Sequence, residues 1–142
     1  MMRLGVIRLL RAYNLYLAWL VSLVALAGSL IFSEIMLFEP CELCWFQRIC
    51  MYPLAVMLGI ALYKNDRGII PYARTLSIIG FCISLFHYLE QKVPGMHQVL
   101  PCSAGVPCNG QYINWLGFIT IPFLALIGFF LITVLLSLGE NQ

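Results

Sequence analysis

The chain has 142 residues, 62% of them hydrophobic and only 10% charged, with a net charge of +2 and a mean hydropathy of +0.93. A soluble domain carries about 25% charged residues, so this composition cannot clothe an apolar core in a hydrated surface. It excludes intrinsic disorder and a secreted disulfide scaffold, and the small net charge excludes a nucleic-acid partner. What remains is one integral membrane domain over residues 1–142.

The first apolar stretch, Ala12 to Ser33, lies between Arg11 and Glu34. It is long enough to cross ~30 Å of hydrocarbon at ~1.5 Å per residue. Its basic start and Ala25-Leu26-Ala27 have the look of a secretory signal. The apolar part exceeds the roughly 7–15 residues of such a segment, so it reads as an uncleaved anchor. Two further stretches, Arg48 to Lys64 and Arg74 to Glu90, each enclose 15 uncharged residues. Both are too short unless a charged residue is drawn into the membrane edge. From Ile113 to Leu138 no charge occurs. The predicted fold is an all-α, four-helix transmembrane bundle with spans at roughly 12–33, 44–63, 72–90 and 113–138. Arg3, Arg8, Arg11, Lys64, Arg67 and Arg74 gather on one side, against Lys92 and the embedded Arg48 on the other. The positive-inside rule then makes both termini cytoplasmic and turns the connections at roughly 34–43 and 91–112 outward.

That topology sorts the six cysteines. Cys50 and Cys82 fall inside spans, where a thiol serves as a small apolar side chain. Cys41, Cys44, Cys102 and Cys108 fall at the outer face, where an oxidising compartment favours pairing or redox work. Cys41 and Cys44 stand in Glu39-Pro40-Cys41-Glu42-Leu43-Cys44-Trp45-Phe46-Gln47-Arg48. Proline suits the opening of a helix, and the positive end of the helix dipole stabilises a thiolate there. Arg48 follows Cys44 by four residues, so both project from one helical face about 6 Å apart along the axis. An arginine inside a membrane edge marks a site unless it snorkels to the headgroups. The second pair brackets Cys102-Ser103-Ala104-Gly105-Val106-Pro107-Cys108, whose Gly and Pro favour a turn that lets the sulfurs meet. The bridge could be a static staple, but so small a ring hardly constrains its loop, and exposed bridges exchange readily. Zinc is disfavoured, because two membrane passes separate the pairs.

Two dithiol pairs suggest electrons passed between them by thiol–disulfide exchange. No haem, flavin, dinucleotide or iron–sulfur signature offers an outlet, so a lipid-soluble quinone beside Arg48 is the natural acceptor by elimination. The Cys41–Cys44 motif followed by Trp-Phe-Gln-Arg48, together with a cysteine pair before Tyr112-Ile-Asn-Trp-Leu-Gly-Phe-Ile-Thr-Ile-Pro122, resembles the DsbB family, in particular its BdbC-like branch.

The resemblance implies a multi-pass protein of a bacterial cell membrane that reoxidises an extracytoplasmic, thioredoxin-like DsbA- or BdbD-like thiol oxidase. Electrons would pass to menaquinone or ubiquinone, with no metal. By the same resemblance Cys102 receives the partner's thiolate, Cys108 exchanges with Cys41, and Cys44 meets the quinone as a thiolate. Arg48 matches the family's quinone-proximal arginine, and His87 is a candidate hydrogen-bond or proton donor to the quinone. Only five residues separate Cys102 from Cys108, fewer than in better-known members, which leaves the order of attack open. Gln47 stands where some relatives carry an acid.

Two other readings stay open at this point. A small four-helix carrier or metal-handling protein could use the cysteines as ligands, although a proton-coupled carrier would want an acid within a span. A reductase running in the opposite direction would need an electron donor.

Overall fold

The computed structural model describes residues 2–35, 42–92 and 121–140, and every element among them is helical. The basic residues Arg3 and Arg8, which the sequence offers only as topology markers, lie in a helix of their own, α1 (Met2–Ala12). Leucine, methionine and arginine are good helix formers. Met2, Val6 and Leu9, all exposed, recur at the spacing of one helical stripe. Tyr13 (φ −110°, ψ 15°) separates α1 from α2 (Asn14–Leu30), which continues into a π-helical segment at Ile31–Ile35.

Helix α3 (Glu42–Lys64) has Arg48 in its second turn. At its 23 residues it reaches roughly 35 Å, so the short apolar stretch crosses by taking the arginine in. Helix α4 (Ile70–Lys92) makes up its own shortfall in the same way, with Arg74 inside its first two turns. Between them the chain reverses in a few residues. Asn65 adopts a left-handed conformation (φ 53°), and the Asp66 N–H bonds back to the Ala61 carbonyl at 2.9 Å. Asparagine is among the few non-glycine residues that tolerate that conformation at a helix end. Asp66 Oδ1 then accepts from the Gly68 N–H at 2.8 Å, opening the 3-10 turn Arg67–Ile69 that leads into α4. Pro71, second in α4, occupies a position where a missing N–H costs nothing. Helix α5 runs over Ile121–Glu140.

Helices α2, α3, α4 and α5 close into a ring, each packed on the next and α5 on α2. Leu54, Leu58, Phe129, Ile132 and Leu136 fill its centre and are fully buried. Large apolar side chains also cover the outside, among them Val24, Val56, Ile60 and Phe130. Such a surface has lipid as its solvent. Three described helical stretches are long and apolar enough to cross a membrane, Asn14–Ile35, Cys44–Lys64 and Arg67–Leu89, and Phe123–Gly139 is a shorter apolar helix. The chain is an all-α, multi-pass membrane protein.

Helix–helix contact depends on small and neutral polar residues, as is usual where lipid removes the hydrophobic drive to associate. The Phe129 ring of α5 occupies the space a Cβ on Gly80 of α4 would need. The hydroxyls of Ser77 and Thr133 lie 2.8 Å apart, and both reach the Phe129 carbonyl. Asn14 Nδ2 donates to the Leu135 carbonyl at 3.2 Å, and the same side chain fills the space beside Gly139.

Two placements differ from the sequence reading. Residues 34–35, 42–43 and 91–92 belong to helices, and the remainder of both expected outer connections lies outside the described residues. Residues 113–120 of the expected fourth span lie outside them too. Cys50 is buried as expected, but Cys82 is exposed on the outside of α4. Helix α4 is apolar on several faces, so hydrophobic pattern alone does not tell which of them turns inward.

Candidate functional site

At one end of the bundle α2 ends, α3 begins and α4 ends, and the described site residues lie there. Cys44, half-buried, is the third residue of α3. It therefore sits in the first turn, where backbone N–H groups lack carbonyl partners and the local potential favours an anion. Cys41, Cys102 and Cys108 lie outside the described residues.

Arg48 comes one turn further along α3 and turns into the protein. Its Nε donates to Ser29 Oγ at 2.9 Å and its Nη2 to the Ser29 carbonyl at 3.0 Å. Its guanidinium carbon stands 5.3 Å from the ring centre of the exposed Trp45, within cation–π range. A helix carbonyl has a second lone pair beyond the one its own ladder uses, so the Ser29 carbonyl can accept from Arg48 while the hydroxyl accepts separately. The charge is thus held by α2 and an aromatic face. Snorkelling to headgroups is not needed to satisfy it.

Gln47 and His87 form the second part of the site. Both are buried, His87 almost fully, and Gln47 Nε2 lies 3.0 Å from His87 Nδ1. Gln47 carries both an amide donor and an amide acceptor, so it can pair with Nδ1 in either tautomer of the ring. This bond ties α3 to α4 at the level of the first turns above the core. One turn deeper on α4, Ser84 Oγ is buried with no hydrogen-bond partner among the described residues. The rings of Tyr88 and Phe123 meet at a tilt of 43° with their centres 5.4 Å apart, joining the ends of α4 and α5.

Cys44, Arg48 and His87, the described members of the expected site, therefore belong to one end of the bundle. Gln47 links His87 to the helix that carries Cys44 and Arg48. Ser29 escapes sequence reasoning. Its trace is a heptad step from Ser22, which puts two hydroxyls on one face of a mostly apolar span. Gln47 is visible as a neutral polar residue beside the motif, but its partner is not. Among the described residues no group of three or more His, Cys, Asp or Glu stands close enough to hold a metal ion.

A cysteine at the mouth of a transmembrane helix, one turn from a held arginine, defines a membrane protein of thiol chemistry. The family described as disulfide bond formation protein DsbB matches residues 11–139, and the chain belongs to it. It is 60% identical over 132 residues to disulfide bond formation protein C of Bacillus subtilis (strain 168), covering 93% of this chain and 96% of that protein. To probable disulfide formation protein C 1 of Bacillus anthracis it is 56% identical, over 86% of this chain and 88% of the relative. A probable disulfide formation protein of Coxiella burnetii (strain CbuK_Q154) is 44% identical, over 96% and 97%. No solved structure matches the chain. The protein is accordingly a membrane disulfide oxidoreductase of the DsbB family.

Proposed function

We propose that this chain is a protein dithiol:quinone oxidoreductase, a single membrane domain that reoxidises an extracytoplasmic thioredoxin-like thiol oxidase of the DsbA or BdbD kind. The observation that carries the reading is the Arg48 guanidinium held by Ser29 and Trp45 one turn from Cys44. A fixed cation beside a thiol favours the thiolate and can also face the carbonyl oxygens of an apolar acceptor. A quinone has that form: a flat apolar ring with two oxygens that collect charge as it is reduced. The buried Gln47–His87 pair and the Ser84 hydroxyl, which has no hydrogen-bond partner among the described residues, fit such a ligand, since they set hydrogen-bonding groups beside an apolar interior.

The thiol half of the reaction is exchange. A thiolate of the partner attacks Cys102 of the Cys102–Cys108 disulfide, and the partner's second thiol resolves the mixed disulfide and leaves oxidised. Cys108, now a thiolate, exchanges with Cys41 of the Cys41–Cys44 disulfide, so that the loop pair closes again and the first pair becomes the dithiol. Two electrons and two protons then pass from Cys41 and Cys44 to the quinone, giving a quinol and restoring the Cys41–Cys44 bond. Arg48 stabilises the Cys44 thiolate and orients the acceptor, and His87 offers a proton or a hydrogen bond to the second oxygen.

The test is a coupled assay with purified chain, a reduced thioredoxin-like oxidase and excess ubiquinone or menaquinone analogue. Loss of partner thiols matched by loss of quinone absorbance, one quinone per dithiol, supports the proposal. A partner that stays reduced while the quinone spectrum is unchanged refutes it.

A further inference from the structure

We infer that Ser29 is the positioning residue for the quinone-facing arginine: by holding Arg48 from the neighbouring helix it sets where the acceptor's carbonyl docks. This rests on the quinone reading above and names what gives that site its geometry. Arginine has a long flexible stem, and one near a membrane edge would by default extend toward the headgroups. Here a single residue takes two of its five N–H groups, one through the hydroxyl at 2.9 Å and one through the backbone carbonyl at 3.0 Å. Two bonds to one residue define both the position and the plane of a guanidinium, as one bond cannot. The remaining three N–H groups are not used by this contact.

The placement of Ser29 supports a dedicated role. It lies two residues before the α2 ladder widens into the π-helical segment at Ile31–Ile35. Such widened turns are rare and concentrate at functional sites. The contact also spans 19 residues of sequence, so it joins the first span to the helix that carries Cys44. The serine does not touch the acceptor in this scheme. It acts through Arg48, by keeping the cation over Trp45 and away from the headgroups.

The experiment uses the full chain in detergent, pre-reduced, with a ubiquinone analogue as probe. Apparent KM and kcat for the quinone are measured for the wild type and for Ser29→Ala, Ser29→Val, Ser29→Thr, Arg48→Met and Ser29→Ala/Arg48→Met. Reduction of the oxidised chain by a small dithiol serves as a separate readout of the sulfur chemistry. Ser29→Ala and Ser29→Val are expected to raise the quinone KM roughly tenfold, the loss of one hydrogen bond to a charged group, while dithiol exchange is unchanged. Ser29→Thr, which restores the hydroxyl, should stay within about twofold of wild type. Because Thr and Val share a shape, a folding defect caused by bulk would affect both, whereas the inference separates them. In the Arg48→Met background Ser29→Ala should add nothing. An unchanged KM in Ser29→Ala, equal behaviour of Thr and Val, or a Ser29 effect that persists without Arg48 would overturn the inference while leaving the quinone reading intact. If Arg48→Met itself leaves quinone reduction at the wild-type rate, the arginine's assigned part in the quinone reading fails, and this inference with it.

Discussion

Polar side chains occur both at the Cys44 end of the bundle and in the interior below it, and the two sets are of different kinds. In the interior Asn14, Ser77 and Thr133 are neutral, and their hydrogen bonds reach backbone carbonyls of a facing helix or of their own. They tie α2 and α4 to α5, beside glycines that let the helices approach. At the Cys44 end the set includes a permanent cation and an imidazole, each engaged by a side chain from another helix. Neutral groups in a span can be accounted for by packing alone. An ionised arginine there is costly and needs a chemical reason. On the proposed function, the fold separates a mechanical polar layer from a reactive one along its length.

That contrast can be broken at its reactive end first. Cys44→Ser should abolish quinone reduction, by at least roughly a thousandfold, as expected for removal of the reacting atom itself. A steady-state quinone assay measures this, and residual turnover near the wild-type value would move the chemistry elsewhere. Arg48→Met should lower quinone turnover by roughly 100-fold, the usual scale for losing one charge-stabilising donor, with dithiol exchange largely spared. Equal loss in both half-reactions would remove the arginine from its assigned role.

The mechanical layer should respond in stability instead. Gly80→Ala forces a methyl into the Phe129 ring, and overpacking of this sort costs about 1–3 kcal/mol. Thermal unfolding in detergent should register it as a lower Tm, while surviving folded protein keeps its quinone KM. Gln47→Leu removes the hydrogen bond between α3 and His87 Nδ1, a loss of about 1 kcal/mol. A fall in Tm together with a raised quinone KM would assign Gln47 to both layers, whereas a change in Tm alone would return it to the mechanical one. Cys82→Ser, on the exposed side of α4, should change neither quantity by more than about 0.5 kcal/mol or its kinetic equivalent. A large effect would show that this face meets something other than lipid.

The residues that could be read directly from sequence are those whose cost in lipid is high. Arg48 announced itself because charge is rare within a span, and the shortness of the second apolar stretch already required α3 to take it in. Cys44 followed from the Cys-x-x-Cys spacing at a helix start. Ser29 could not be read in the same way, since a serine in a transmembrane helix can satisfy its hydroxyl on its own backbone and so implies no partner. Only the crossing of α2 and α3 reveals that it faces the arginine. Gln47 and His87 lie 40 residues apart, and their pairing depends on the tight Asn65–Asp66 reversal that sets the register of α3 against α4. Helix α1 was hidden for a different reason. Its arginines carry the topology signal, and that signal is the same whether or not they are helical.

The most direct measurement is a single turnover of the reduced chain, mixed rapidly with a quinone analogue while quinone absorbance and protein thiols are followed together. In the wild type one quinone is expected to disappear as one dithiol closes, and Arg48→Met should slow this step but not the preceding exchange with a dithiol partner. A reduced chain whose thiols persist in excess quinone would contradict the proposed function.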